Sequence, residues 1–147
     1  MENISATGLE VTLRASQTFP QGFTVTAFAD DADPLDGPNV DIGDSAMGVN
    51  GDLIVWNTPV PLEITLNVLP GTEDDRNLEL LAEANRMAKG KISARDNITM
   101  TFRYPVAGKR CTLVNGHIRS IPPVYSAAGA GRIKSRAYTF RFENKSA

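Results

Sequence analysis

Apolar and polar positions alternate with period two along most of this chain, the pattern of half-buried strands. Leu9, Val11 and Leu13 alternate with Glu10 and Thr12, so residues 8–14 read as a strand. Phe23, Val25 and Ala27 do the same against Thr24 and Thr26. Residues 46–56 read as a hairpin: Asn50-Gly51 is the dipeptide that best tolerates a two-residue type I′ turn, and Leu53, Ile54, Val55 and Trp56 follow it. Leu62, Ile64, Leu66 and Val68 alternate with Glu63, Thr65 and Asn67 in the cleanest strand of the chain. Further on, Ile98, Met100, Phe102 and Tyr104 alternate with Thr99, Thr101 and Arg103. Residues 111–114 read as a short strand, and Asn115-Gly116 offers a second hairpin turn into Ile118 and Ile121. Tyr138, Phe140 and Phe142 alternate with Ala137, Thr139 and Arg141 in a basic closing strand.

One segment changes period. After Pro70-Gly71, Thr72 stands at an N-cap, Asp75 occupies the capping-box position three residues on, and Glu73 and Asp74 suit the first turn. The helix is expected over 73–88, with Leu78, Leu81, Ala82 and Asn85 on one stripe and Gly90 as the residue that ends it. Residues 30–44 break the alternation. They hold Asp30, Asp31, Asp33, Asp36, Asp41 and Asp44 among prolines and glycines, and predict a long acidic loop of the kind that is functional or mobile. Seven or eight strands and one helix predict a mainly β (α+β) fold: an antiparallel β-sandwich or barrel with one packed α-helix. It is expected to be a single domain over 1–147, with Leu62, Ile64, Leu66, Val68, Leu78, Leu81, Phe102 and Phe140 in the core.

Charge adds what the strand pattern cannot. Residues 1–75 carry 13 acidic residues and one basic residue, Arg14, whereas residues 76–147 carry 4 acidic and 14 basic residues; the net charge is −2. Two arrangements follow. The halves interleave in one fold and neutralise each other, or an acidic surface on one copy meets a basic surface on the next. In the second arrangement the acidic loop is the stacking element, and Arg132, Lys134, Arg136 and Arg141 supply the complementary surface. The near-neutral balance argues against a dedicated nucleic-acid binder, and no run reaches the length of a membrane span. The polar N-terminus and the single Cys111 fit a chain without a secretory signal in a reducing compartment.

No catalytic constellation stands out, so no enzyme activity and no cofactor are expected. His117 beside Asn115-Gly116 reads as a strand or turn residue, and Cys111 in an apolar strand reads as core. Trp56 likewise reads as core. Asp31, Asp33 and Asp36 loosely suggest a calcium loop, but Leu35, Asp36 and Ile42 occupy its fifth, sixth and twelfth positions, which excludes the pattern.

The order of these elements, with Gly22–Thr26, the NGDLI turn at Asn50–Ile54, the segment Leu62–Leu81 and the basic strand Arg132–Phe142, resembles the tail tube proteins of contractile-tailed bacteriophages and their secretion-system relatives. The resemblance spans roughly Leu9 to Phe142. It implies a virion structural protein in the tail, assembled in the host cytoplasm, whose hexameric rings stack into a tube. The implied partners are further copies of itself, the tail sheath protein, the baseplate and tail-terminator proteins, and genomic DNA that passes through the lumen without specific binding. A tube-like baseplate or tail-terminator protein is the nearest alternative, and a β-sandwich ligand-binding module is the alternative outside this class.

Overall fold

The computed structural model describes residues 7–30, 32–105, 108–129 and 131–146. Among these residues nine strands and one helix follow in chain order: β1 (Glu10–Ala15), β2 (Phe19–Val25), β3 (Leu35–Asp36), β4 (Gly43–Met47), β5 (Leu53–Asn57), β6 (Leu62–Val68), α1 (Glu73–Asn85), β7 (Ile98–Arg103), β8 (Arg110–Ser120) and β9 (Arg136–Ser146). Seven of the strands form one antiparallel sheet in the order β2-β1-β7-β8-β9-β6-β3, and β4 and β5 form a separate pair. The fold is mainly β with one packed helix. The sheet curls until its ends meet: Phe28, beyond β2, bridges Val68 of β6, with Ala29 N–H to Asn67 O at 2.9 Å and Leu69 N–H to Ala27 O at 3.0 Å. Pro20 is tolerated in β2 because that strand lies at the end of the sheet order, where a missing donor costs no ladder bond.

The inner face of the curled sheet is the core. Leu66, Val68, Leu78, Leu81, Phe102 and Phe140 are buried in it. Leu62 and Ile64, expected beside them, are only half-buried and pack against its margin. β6 and β9 pair in one continuous register from Leu62↔Phe142 to Val68↔Arg136, so their alternating apolar residues point to the same side.

Asn115-Gly116 does not make the second hairpin. β8 runs unbroken through it as an 11-residue strand. Asn115 takes φ 55°, and the pairing with β7 slips between Ile98 and Met100, which is a bulge with one extra residue on β8. Gly116 is required for a different reason: a Cβ there would lie 2.3 Å from Phe142 Cδ1.

The helix begins where the capping signals place it. Thr72 Oγ1 accepts from Asp75 N–H at 3.3 Å, and the carboxylate of Asp74 accepts from Thr26 and Ala27 N–H at 2.9 Å each, tying the end of β2 to the first turn. It ends three residues short of the expected 88, at Asn85. There the side-chain amide of Asn85 exchanges bonds with Asp96: Nδ2 donates to Asp96 Oδ2 at 2.8 Å and Oδ1 accepts from Asp96 N–H at 2.9 Å. Ala94 N–H takes the Ala84 carbonyl at 2.9 Å. Gly90 serves the turn that follows, at φ 75°.

Candidate assembly interface

The β4–β5 hairpin stands apart from the rest of the molecule. Every residue of both strands is exposed, and none belongs to the core. Alternation puts Met47, Leu53 and Val55 on one face, exposed at 67%, 63% and 68%. The other face carries Ile54 and Trp56 with Ala46 and Asp44. Trp56, expected in the core, is 46% exposed, because its strand pairs only with β4. The turn is also longer than the two-residue form: residues 48–52 make a five-residue loop closed by Gly48 N–H to Asp52 O at 2.7 Å, and Gly51 (φ 85°), but not Asn50, takes a positive φ. A two-stranded hairpin alone is marginal in water. One with apolar side chains on both faces is a surface that needs a cover.

A groove of about 610 Å³ opens beside the core. One wall is β6 and the segment before the hairpin, with Leu35, Pro38, Leu62 and Ile64; the other is β7 and β8, with Tyr104, Cys111 and Leu113. This opening is why Leu62 and Ile64 are only half-buried. Burial pushes the Tyr104 phenol above its ordinary range, with the neighbouring Cys111 adding to the effect. Cys111 is a half-buried wall residue here, and it packs against the core from outside.

The topology interleaves the two charge halves. β1 lies between β2 and β7, and β6 beside β9, so acids from the first half meet bases from the second. Glu10 pairs with Arg103 at 3.8 Å, Glu63 with Arg119 and Arg141 at 3.2 Å each, and Asp30 with Arg132 at 3.1 Å. The hydrogen bond from Arg132 holds the Asp30 carboxyl below the usual carboxylate range. Three of the four residues expected to form a basic docking surface are therefore engaged inside the subunit. Arg132 and Arg141 are ion-paired, and Arg136 is 3% exposed and presents no charge to a neighbour. Lys134 alone of the four is exposed without an ion pair among the described residues.

Arg136 belongs to a buried polar hub centred on Asp75. Its Nη1 lies 3.3 Å from Asp75 Oδ1 and 3.1 Å from Glu79 Oε2, and its guanidinium stacks over the Tyr125 ring at 4.2 Å. Asp75 also accepts from Tyr138 OH at 2.9 Å, Tyr125 OH at 3.3 Å and Gly71 N–H at 3.1 Å. Burial, and then the hydrogen bond to Asp75, push the Tyr138 phenol far above its ordinary value. The hub locks the helix onto β9. Its signal in the sequence was the spacing of Asp75, Leu78 and Ala82, which places the carboxylate on the apolar stripe of the helix.

The acidic segment is not one loop. Leu35 and Asp36 pair with Leu66 and Thr65, and Asn67 binds the Pro34 carbonyl through its backbone N–H at 3.1 Å and the Asp33 carbonyl through Nδ2 at 2.6 Å. β4 begins at Gly43, so Asp44 already lies in the hairpin. Asp33, Asp36, Asp41 and Asp44 are exposed and make no ion pair among the described residues; Asp31 lies outside them. His117 is exposed on β8, its Nδ1 3.3 Å from Ile118 O.

With this geometry in place, three comparisons bear on the chain. The profile of a family described as tail fiber protein gp32 matches residues 2–146. No curated protein sequence matches. Chains of similar fold occur in solved structures, two cryo-EM structures among them. The first is of an extracellular contractile injection system, the PVC sheath/tube terminator in its extended state: TM-score 0.63, 12% identity, 99% of this chain and 96% of that chain covered. The second is of the anti-feeding prophage cap, the AFP tube terminating cap: TM-score 0.58, 13% identity, 99% of this chain and 91% of that chain covered. At these identities the likeness is one of fold, and it extends over nearly the whole of each chain.

Proposed function

The chain belongs to the tail fiber protein gp32 family, and we propose that it is a structural subunit whose rings stack along the tube of a contractile phage tail. The observation that carries this reading is the β4–β5 hairpin, apolar on both faces and uncovered in the single subunit. A ring supplies that cover, because each copy presents the same arm to the next. The family's description speaks of a fibre. The whole-length fold likeness is to chains in tube-end assemblies, which supports a place in the tube.

In this reading the rings are hexameric and genomic DNA passes through the lumen without specific binding. The sheath, baseplate and tail-terminator proteins are the other partners, no catalysis is performed, and the protein works in the virion tail after assembly in the host cytoplasm. Four exposed aspartates from 33 to 44 lie on and before the hairpin, where they suit the contact between stacked rings. A second reading, a ring that ends the tube, is favoured by the terminator and cap assemblies that hold the similar chains. Electron microscopy of the purified protein across concentration separates them. Open-ended tubes are expected for the first reading and single or paired discs for the second. Monomers at every concentration and salt would remove both.

A further inference from the structure

The tripeptide Val-Asn-Gly occurs twice in the chain, at residues 49–51 and 114–116. Both copies have the same chemistry open to them. The backbone nitrogen of the glycine attacks Cγ of the asparagine, and the new N–Cγ bond closes a succinimide ring. The Cγ–Nδ2 bond breaks, and the side-chain nitrogen leaves as ammonia with the proton of the glycine amide. Water then opens the ring at either carbonyl, giving an aspartate or an isoaspartate whose main chain runs through Cγ. Nothing is oxidised or reduced, and water is the co-reactant. Glycine favours the attack because no Cβ crowds its nitrogen. We infer that the fold separates the two copies: Asn50-Gly51 is a site of spontaneous deamidation, and Asn115-Gly116 is shielded from it.

Asn50 and Gly51 are exposed in the loop between β4 and β5. No hydrogen bond holds the Asn50 side chain among the described residues, and a Cβ placed on Gly51 would meet nothing within 4 Å. One bond restrains the nucleophile: Gly51 N–H donates to Gly48 O at 3.0 Å. It closes a turn within a two-stranded pair that has no place in the core, so it opens without disturbing the large sheet. The second copy is clamped. Asn115 Oδ1 accepts from Asn97 Nδ2 at 3.2 Å. Gly116 is buried, paired with Ile98 of β7 on one edge and Phe142 of β9 on the other, and a Cβ there would overlap the Phe142 ring. Attack needs the backbone at Asn115 to rotate, which requires β8 to part from its neighbours. That opening costs a large share of the stability of the domain, so the shielding amounts to more than about a thousandfold in rate. Each event at Asn50 adds one negative charge beside Asp52, in a stretch, residues 15–75, that holds no lysine or arginine to balance it. The reaction needs no assembly, so it holds for the subunit whether or not it forms rings.

The matched tripeptides make the test internal to one molecule. The full chain is incubated in mildly alkaline buffer, folded and in concentrated guanidinium chloride, and its peptides are mapped by mass spectrometry. In the folded chain the Asn50 peptide is expected to gain the mass of an amide-to-acid change, with an isoaspartate isomer resolved by chromatography, while the Asn115 peptide stays unchanged. In denaturant the two should convert at rates within a few-fold of each other, since their local sequences match. An Asn50 peptide that stays unmodified in the folded chain while the denatured sample converts overturns the inference. So does Asn115 converting in the folded chain within about tenfold of the Asn50 rate. An Asn115 peptide that stays unmodified in denaturant removes the shielding. Asn50→Gln, a change outside the core, should abolish the more acidic species that ion exchange resolves from aged wild-type protein. Persistence of that species in the variant puts the reaction elsewhere and overturns the assignment.

Discussion

β5 and β6 are neighbours in sequence and opposites in environment. Leu53–Trp56 is a continuous apolar run, whereas Leu62–Val68 alternates with Glu63, Thr65 and Asn67. On hydrophobicity alone β5 is the better candidate for the interior. The structure reverses this. β6 has β9 and β3 on its two edges and the core on one face, and β5 has only β4. The comparison teaches that the two patterns ask for different things. Alternation asks for one covered face, which the subunit provides itself. A continuous run asks for cover on both faces, normally found inside a larger sheet system, and here the single subunit offers neither.

The largest expected effects lie in the buried body. Phe140→Ala should cost about 3–5 kcal/mol in a urea melt, because Phe140 is fully buried where β9 pairs with both β6 and β8. A loss under about 1 kcal/mol would erase the contrast with the hairpin. Asp75→Ala should cost a similar amount, about 3–5 kcal/mol, since it leaves buried Arg136 with only the exposed Glu79 carboxylate and leaves the Tyr138 hydroxyl without its acceptor. Loss of helix signal by circular dichroism ahead of sheet signal would sharpen the assignment of Asp75 as the lock between helix and sheet. Gly116→Ala should cost about 1–3 kcal/mol, because the added methyl forces the Phe142 ring aside.

Acid should separate the two regions more gently. Burial by itself would raise the Asp96 carboxyl, but hydrogen bonds from Thr18, Asn85 and the backbone N–H groups of Thr18 and Gln17 outweigh it and hold the group below its ordinary 3.8. A carboxyl lowered by folding stabilises the fold in full above its unfolded value, and that stabilisation is lost as pH falls through the folded one. Melts from pH 7 to pH 3 should therefore show an acid-dependent fall in stability that is smaller in Asp96→Asn, and identical curves for the two proteins would refute this role. The smallest effect on the monomer is expected in the hairpin. Leu53→Ser should change subunit stability by no more than about 0.5 kcal/mol while reducing assembly, measured by sedimentation. A large stability loss would mean that the hairpin packs on its own body.

Much of the fold was legible because its signals are local. Period-two alternation located β1, β6, β7 and β9, and Thr72 with its acidic first turn marked the start of the helix. Three features escaped for one reason, namely that a distant segment decides them. Asn115-Gly116 carries a turn signal, but β9 holds β8 straight and turns the pair into a bulge over Phe142. Arg136 belongs to a basic strand, but the approach of α1 buries it against Asp75. Asp36 sits among loop residues, but the edge of β6 draws it into a strand.

By itself, then, the sequence determined which residues form strands and helix and that acid and base are segregated along the chain, because backbone preference and apolar period act over a few neighbours. Only the tertiary structure decided which charges meet inside the subunit, and that the most apolar strand lies outside, away from the core. Burial and ion pairing depend on which distant segments the topology brings within a few ångströms of one another.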